Sequence, residues 1–311
     1  MAQVPKVRLS EGLEICRILN GMWQVSGAHG PIDTPKAVNA MDAYINAGLT
    51  TFDMADIYGP AEDIFGAFSS QVVEKAIQQS LKRMRVKSLD CLQFHWWDYS
   101  DKRYLEALGH LSDLQQEGVI RELALTNFDT KRLEEITGKG IRISSNQVQY
   151  SLIDRRPMVK MAQFCDSQGI QLLAYGTLGG GLISEKYLGA AEPRGQGELK
   201  TASLSKYKNM INMWGGWGLF QELLGSLDSV ARSQHCTIVN VAIKYILDMP
   251  AVGGVIVGSR LGVPGAEHIQ ENLKSFEVNL SANDISKIES VLSRSKDLIA
   301  VIGDCGDEYR N

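Results

Sequence analysis

Short apolar runs alternate along this chain with longer segments in which apolar residues recur every three or four positions. The short runs are typical of buried strands, and the longer spacing is typical of helices that cover one face of a core. The predicted strands are 21–25, 50–53, 91–95, 123–126, 145–150, 170–175 and 254–257. The predicted helices are 35–47, 72–84, 102–117, 130–137, 158–167, 220–233, 267–275 and 284–292.

Strands that alternate with helices predict a parallel sheet with helices outside it, an α/β fold. Seven such strands are present, whereas a closed (β/α)8 TIM barrel needs eight. We expect the third strand, between Tyr58 and Leu92, to be the missing one. A β-hairpin over 7–15 precedes the first strand and is placed to plug the bottom of the barrel. Because no linker divides the chain, we predict one domain over 1–311.

The composition narrows the class of protein. The 311 residues include 44% hydrophobic residues and carry a formal net charge of −4, without a basic stripe. Nucleic acid and membrane surfaces are therefore not expected partners. The five cysteines show no C-x-x-C spacing, which predicts free thiols and no metal site. No secretory leader or long apolar run is recognised, so we expect a cytoplasmic protein, a monomer or homodimer.

Three side chains suited to proton chemistry follow the ends of two predicted strands. Asp53 and His95 each end a strand, and Tyr58 follows the first of them. Side chains alternate along a strand, so Asp53 shares a face with Thr51, and His95 shares one with Gln93. We expect both faces to line the barrel interior and to meet at its catalytic, C-terminal end. The structural alternatives are a loop carboxylate for Asp53 and a core histidine for His95.

All five tryptophans fall in segments that come after predicted strands. In a barrel these segments form the catalytic face, so they predict an aromatic-lined pocket for an apolar or aromatic ligand, with core tryptophans as the alternative. The glycines in 213–218 further predict a movable lid. The predicted pocket residues are Trp23, Tyr58, Trp96, Trp97, Trp214 and Trp217.

Motifs along nearly the whole chain resemble those of the aldo-keto reductases. The segment 52–59, Phe-Asp-Met-Ala-Asp-Ile-Tyr-Gly, resembles the family's Asp-and-Tyr signature. Further motifs match in family order at 89–95, 125–128, 146–150, 173–176, 255–260 and 271–272. The resemblance implies a (β/α)8 barrel that reduces an aldehyde or ketone, here an apolar or aromatic small molecule, to an alcohol with NADPH.

The resemblance also implies roles for single residues. Tyr58 would protonate the carbonyl oxygen, and His95 would orient the carbonyl group. Asp53 would contact the cofactor ribose and hold a lysine whose charge lowers the pKa of the tyrosine. The residues implied to bind the cofactor are Trp23, Asp53, Thr126, Asn127, Gln147, Tyr175, Gly176, Leu178, Gly180, Val257, Gly258, Ser259, Arg260, His268, Glu271 and Asn272.

These cofactor residues divide by the part of NADPH that they would contact. Thr126, Asn127 and Gln147 match the contacts to the nicotinamide carboxamide. Tyr175 matches the aromatic residue that stacks on the nicotinamide ring. The glycine-rich run 176–181 would let backbone N–H groups approach the pyrophosphate, with a flexible turn as the alternative.

The 2′-phosphate end separates NADPH from NADH. Ser259 and Arg260 stand where the family holds that phosphate, and the guanidinium fork suits it. His268 occupies a position where many members have Arg or Lys.

The chain departs from the family directly after the tyrosine motif. Roughly 20–25 residues that the resemblance leads one to expect are absent, including the third strand and its catalytic lysine. Lys75, Lys82 and Lys87 lie in this interval, but their pattern predicts solvated helix and loop charges.

Three interpretations follow from this departure. The chain is an ordinary reductase whose printed sequence leaves out a stretch, or a natural short form that binds NADP(H) as a pseudoenzyme. The third is a barrel recruited for non-redox acid–base chemistry, such as a cyclisation or isomerisation, by Tyr58 and His95.

Overall fold

The structure, a computed structural model, describes residues 4–10, 12–23, 34–55, 70–193, 198–259 and 268–310. The strands in these ranges are β1 (Lys6–Ser10), β2 (Leu13–Cys16), β3 (Ile18–Gly21), β4 (Phe52–Asp53), β5 (Leu89–His95), β6 (Ile120–Thr126), β7 (Ser145–Gln149), β8 (Gln171–Tyr175) and β9 (Val252–Gly258). The helices are α1 (Thr34–Asn46), α2 (Ser70–Met84), α3 (Tyr104–Gln116), α4 (Thr130–Gly138), α5 (Met161–Gln168), α6 (Ala202–Trp214), α7 (Gly216–Ser233), α8 (Ile238–Leu247), α9 (Ile269–Lys274), α10 (Ala282–Leu292) and α11 (Leu298–Ile302).

Seven strands form one parallel sheet in the order β4-β3-β9-β8-β7-β6-β5. This is the strand order of a (β/α)8 barrel, and the described residues hold no strand between β4 and β5. In the described part of the chain, β4 pairs only with β3, and β5 pairs only with β6. The α/β TIM-like fold is therefore confirmed, whereas the interval predicted to lack the third strand falls partly on residues outside the described ranges.

The N-terminal hairpin closes the end of the barrel opposite to the predicted site. β1 and β2 pair antiparallel, and Leu9 and Ile15 project from them into a small apolar cluster. Leu19 of β3 and Leu173 of β8 complete this cluster, so the hairpin covers the bottom of the sheet. All four side chains are buried, which removes apolar surface from water and stabilises the closed end.

The helix end signals predicted from the sequence are present. Gly48 has φ of +87°, and Leu49 donates to the Tyr44 carbonyl at 3.0 Å, which ends α1 with a left-handed residue. The Ser281 hydroxyl accepts from the Asp284 N–H, and the Asp284 carboxylate accepts from the Ser281 N–H. This capping box begins α10 as predicted.

Helices α6 and α11 were not predicted, and two further elements differ from the prediction, each for a physical reason. The first barrel strand is β3 (Ile18–Gly21) rather than 21–25. Its Asn20 masks the strand pattern, because the buried amide donates to the carbonyls of Leu49 (2.8 Å) and Thr51 (2.9 Å). Helix α8 was not predicted, because it is buried nearly all round and has no polar stripe to reveal a helical period.

Among the described residues, no helix combines the length and the apolar character needed to cross a membrane. Within the same ranges, no cluster of three or more His, Cys, Asp or Glu side chains is arranged to hold a metal ion. The five cysteines are free thiols.

Candidate active site

Strand register brings the predicted site residues into neighbouring positions at the C-terminal ends of the strands. His95 of β5 pairs with Thr126 of β6, and Thr126 pairs with Gln147 of β7. On the other side of the sheet, Asp53 of β4 pairs with Gly21, which also pairs with Gly258 of β9. Because register partners in a parallel sheet share a face, the polar side chains converge on one end of the barrel.

A hydrogen-bonded carboxylate lies between the two edge strands. The Oδ1 atom of Asp53 accepts from Gln93 Nε2 and from Gln147 Nε2, both at 2.8 Å. Gln147 Nε2 also donates to Gln93 Oε1 at 2.7 Å. Burial raises the pKa of Asp53, and the two amide donors work against that rise. The predicted interior face of β4 and β5 is therefore observed, and Gln93, which was assigned no role, belongs to its centre.

The side-chain amides of Gln93 and Gln147 donate to the Asp53 carboxylate, which the resemblance would pair with a lysine. No lysine among the described side chains contacts Asp53. Lys82 and Lys87 are exposed, as their pattern predicted. Tyr58 and the side chain of Lys75 lie outside the described residues. In the described part of the site, Asp53 is held by neutral donors rather than by an ammonium.

His95 is a neutral imidazole near physiological pH. Burial, with a further contribution from the positive charge of Arg310, lowers its pKa from 6.5 to about 4. A neutral imidazole has one N–H donor and one acceptor nitrogen, so it can donate a hydrogen bond to a carbonyl oxygen without carrying charge. The ring of His95 lies edge-on to Trp97, with 4.5 Å between the centroids.

The five tryptophans differ in burial, and a pocket that they share stays a prediction. Trp97 follows β5 and is 53% exposed, so it offers an open aromatic surface beside His95. Trp96 is buried and donates to the Asp98 carbonyl at 2.7 Å, and Trp23 lies two residues beyond β3.

Trp214 and Trp217 lie in α6 and α7, buried at 1% and 8% exposure, and Trp217 donates to the Ala190 carbonyl. The prediction that these two belong to a glycine-rich lid after a strand is wrong. Helix α6 continues to Trp214, and both side chains pack in the core.

The residues predicted for the nicotinamide end show a matching set of free hydrogen-bonding groups. Asn127 Oδ1 accepts from the Tyr175 hydroxyl at 2.9 Å, and no described residue accepts from Asn127 Nδ2. Gln147 uses its Nε2, and no described residue donates to its Oε1. The Asn127 N–H donates to the Gln147 carbonyl at 2.8 Å, so the two residues are neighbours. One donor and one acceptor suit a primary carboxamide, and the residues therefore fit the nicotinamide group of the cofactor.

The glycine-rich run after β8 is covered by a helix. Gly176 and Gly180 have positive φ, and a Cβ on Gly176 would lie 2.3 Å from the Tyr207 hydroxyl. A Cβ on Gly180 would meet the ring of Tyr207 at 2.9 Å. The close approach of α6 therefore requires glycine at both positions. Leu178 lies between them, directly before the 3-10 turn Gly179–Gly181. A contact of this run with pyrophosphate stays a prediction.

The adenosine end is only partly described. Val257 and Gly258 end β9, and the N–H of the following buried Ser259 donates to the Gly21 carbonyl at 2.8 Å. Arg260 lies outside the described residues.

The remaining adenosine residues lie at the start of α9. Asn272 is buried, and its N–H donates to the carbonyl of His268. His268 and Glu271 share a hydrogen bond of 2.9 Å, and the His268 side chain is 60% exposed. Their contact with an adenosine phosphate stays a prediction.

A C-terminal tail, residues 303–310, crosses the catalytic end and was missed by the sequence analysis. Arg310 donates to the Trp96 carbonyl at 2.6 Å, and the hydroxyls of Tyr309 and Tyr175 lie 2.9 Å apart. The tail therefore touches residues at the ends of β5 and β8. No strand pattern marks it, so only its tertiary position brings it to the site.

Comparison with known sequences decides the family. The sequence model of the "Aldo/keto reductase family" matches residues 17–72 and 67–293. The chain belongs to this family. It is an aldo-keto reductase type of enzyme, an oxidoreductase of a family that acts on carbonyl groups with NAD(P)H. The match falls into two segments that overlap at 67–72.

Individual relatives are distant but extensive. "Protein tas" of Escherichia coli is 25% identical over 246 residues, which is 72% of this chain and 68% of that protein. The chloroplastic pyridoxal reductase of Arabidopsis thaliana is 24% identical over 297 residues, covering 82% of this chain and 76% of that protein. The structure of the glycerol dehydrogenase AKR11B4 from Gluconobacter oxydans superimposes with a TM-score of 0.73 at 19% identity, covering 94% of this chain and 96% of that chain.

Proposed function

We propose that this protein reduces an apolar or aromatic aldehyde or ketone to an alcohol, with NADPH as the cofactor. The observation that carries the proposal is the neutral His95 imidazole beside the exposed face of Trp97, in register with Thr126 and Gln147. An imidazole donor and an open aromatic surface next to a carboxamide site suit a flat carbonyl compound.

The roles of the chain's own residues follow from the geometry. The bound cofactor would supply the hydride. Asn127 Nδ2 and Gln147 Oε1 would hold the carboxamide, and Trp97 would pack against the apolar part of the substrate. An N–H of His95 would donate to the carbonyl oxygen and stabilise the negative charge that develops there. Tyr58, from the family motif, would donate the proton to that oxygen.

The preference for NADPH and for an aromatic substrate has separate support. Ser259, Arg260 and His268 would supply donors and positive charge for a 2′-phosphate. For the substrate, the Arabidopsis relative is named for pyridoxal, an aromatic aldehyde. One seven-stranded sheet includes strands from β3, near the start of the chain, to β9, near its end. This supports one barrel domain, which we propose to act in the cytoplasm as a monomer or homodimer.

One observation favours a second candidate, a pseudoenzyme that binds the cofactor with weak turnover. Asp53 Oδ1 accepts from two neutral amides, where a working site would present it to an ammonium. Loss of an acid–base element typically lowers the rate by about 10²–10⁴-fold. The binding residues on β6 to β8 do not depend on that ammonium, so affinity for NADPH would survive.

Cofactor titration and turnover test these functions together. NADPH and NADH are titrated by fluorescence, and turnover is measured on an aromatic aldehyde and on a straight-chain aldehyde of equal carbon number. Binding of NADPH with faster turnover of the aromatic aldehyde supports the reductase. Binding of NADPH with turnover about 10²–10⁴-fold below that of a reductase that has the lysine supports the pseudoenzyme. Absence of binding overturns both and favours non-redox acid–base chemistry.

A matched pair of histidine variants connects turnover to the site. His95→Gln is expected to lower the rate on the aromatic aldehyde by about 10²-fold while NADPH affinity stays unchanged. His110→Gln is the control, because His110 lies on α3 and contacts Glu106 there. Equal rates of the two variants would contradict a role for His95 at the carbonyl.

A further inference from the structure

A chain of hydrogen bonds runs from α6 through the C-terminal tail to the carboxamide site. Lys206 Nζ donates to the Tyr309 hydroxyl. The Tyr309 and Tyr175 hydroxyls lie 2.9 Å apart, and the Tyr175 hydroxyl lies 2.9 Å from Asn127 Oδ1. The chain thus ends on one of the two side chains that present free groups to a carboxamide.

The direction of this chain is set by its first member. A lysine ammonium has only donors, so the Tyr309 oxygen must accept from Lys206. Among the described residues, the Tyr175 oxygen is the acceptor within reach of the Tyr309 proton, so that proton points to Tyr175 and the Tyr175 proton points to a further acceptor. Two acceptors are near it, Asn127 Oδ1 at 2.9 Å and Glu308 Oε1 at 3.4 Å, and the shorter contact is the stronger bond.

The orientation of the Asn127 amide follows from this direction. An amide can be turned over so that its nitrogen and oxygen exchange places, and its bonding partners decide which form is stable. Because Tyr175 arrives as a donor, Asn127 must present its oxygen to Tyr175. Its nitrogen is then left as the donor at the carboxamide site.

The Lys206 ammonium has no carboxylate within ion-pair distance among the described residues. Its Nζ instead lies over the rings of Tyr309 (4.4 Å), Tyr175 (5.3 Å) and Tyr207 (5.3 Å). Ring faces attract a cation without accepting its charge, so the ammonium remains available to donate.

The position of Tyr309 does not depend on its hydroxyl. Arg156, almost fully buried, contacts Asp154 at 2.8 Å and Glu308 of the tail at 2.9 Å. It also donates to the Asp304 carbonyl at 2.9 Å. The tail is therefore anchored by buried ion pairs, and a phenylalanine at position 309 is expected to keep the ring in place.

We propose that Lys206 and Tyr309 are positioning residues for the nicotinamide. Through Tyr175 they hold the Asn127 amide with Nδ2 facing the carboxamide oxygen of the bound cofactor. The proposal rests on the proposed function, because it requires that the chain binds a nicotinamide dinucleotide.

The test compares ligands with and without the nicotinamide. Affinities for NADPH and for 2′-phospho-ADP-ribose are measured by titration on the wild type and on Tyr309→Phe, Lys206→Met and the double variant. Each single variant is expected to weaken NADPH binding about threefold to tenfold, the loss of one neutral hydrogen bond, and to leave 2′-phospho-ADP-ribose unchanged. The double variant should match the single ones, because both remove the same chain of bonds.

Lys186→Met and Tyr187→Phe are the matched controls, since Lys186 lies 5.2 Å from the centre of the Tyr187 ring, which packs against Trp217 of α7. They should leave both affinities unchanged. Equal weakening of both ligands by Tyr309→Phe would mean a merely structural tail and would overturn the proposal, as would unchanged NADPH binding. A wild-type protein that does not bind NADPH would overturn the proposed function and this inference together.

Discussion

The central strands and the edge strands of the sheet differ in pairing and in burial. Strands β6, β7 and β8 are paired on both edges, and most of their residues are buried. Strands β4 and β5 are paired on one edge within the described residues, and most of their residues are only half-buried. The predicted carboxamide and stacking residues stand on or directly after the well-supported strands, whereas Asp53 and His95 stand on the edge strands. The residues that we propose for cofactor binding and for proton chemistry therefore lie on strands that differ in pairing and in burial.

The largest expected effect compares the same substitution on the two sides. Leu123 of β6 is fully buried, and its register partner Leu92 of β5 is half-buried. Leu123→Ala is expected to lower the free energy of unfolding by about 2–5 kcal/mol, because it leaves a cavity that the packed side cannot fill. Leu92→Ala should cost less than half as much. Urea unfolding measures both, and equal costs would show that the two sides are equally well packed.

A lysine at position 93, beside Asp53, is expected to raise the activity. Gln93→Lys would place an ammonium near Asp53 Oδ1, where Gln93 Nε2 now donates at 2.8 Å. If the absent charge limits the rate, kcat on an aromatic aldehyde should rise by about tenfold or more, a part of the effect of an acid–base element. Gln93→Met, of similar length and uncharged, is the control. A rate that stays flat while NADPH still binds would exclude the charge as the limiting feature.

The pKa of His95 predicts a stability loss on the acid side. Its folded-state pKa of about 4 lies below the ordinary histidine value of 6.5, so the unfolded chain binds more protons between these pH values. The free energy of unfolding should therefore fall as the pH falls from 6.5 towards 4, by at most about 1.4 kcal/mol per pH unit. Unfolding curves of wild type and His95→Gln across this range isolate the effect, because the carboxylates are common to both. Parallel curves would mean that His95 is protonated without penalty.

The smallest effect is expected at the surface of the edge. Arg121 of β6 and Asp90 of β5 form an ion pair of 2.9 Å whose side chains are 51% and 71% exposed. Arg121→Ala should change the free energy of unfolding by less than about 0.5 kcal/mol, because solvent screens exposed pairs. Thermal unfolding at low and high salt measures it. A clearly larger loss would show that this pair holds the edge strand in place.

The sequence predicted the elements whose signals are local. Strand alternation placed Gln93 and His95 on the interior face, and Gln93 is seen bonded to Asp53. The capping signals at Ser281 and Gly48 were also sufficient, because a helix end is decided by a few neighbouring residues. Motif order along the chain predicted the family, which the family match confirms.

The failures concern features that depend on distant contacts. Trp214 and Trp217 were assigned to a lid, because glycine content says nothing about the core that α6 and α7 form around them. The tail was missed for the same reason. Its Tyr309 has no periodic pattern, and its contacts with Tyr175 and Lys206 span more than 100 residues of sequence.

The sequence by itself determined the family, the order of the described strands and the faces that Asp53 and His95 occupy. These follow from side-chain alternation and from motif spacing, which are properties of neighbouring residues. Only the tertiary structure decided that Asp53 is held by Gln93 and Gln147, and that Tyr309 reaches Tyr175. Such contacts join segments far apart in the chain, and the packing of the whole barrel selects them.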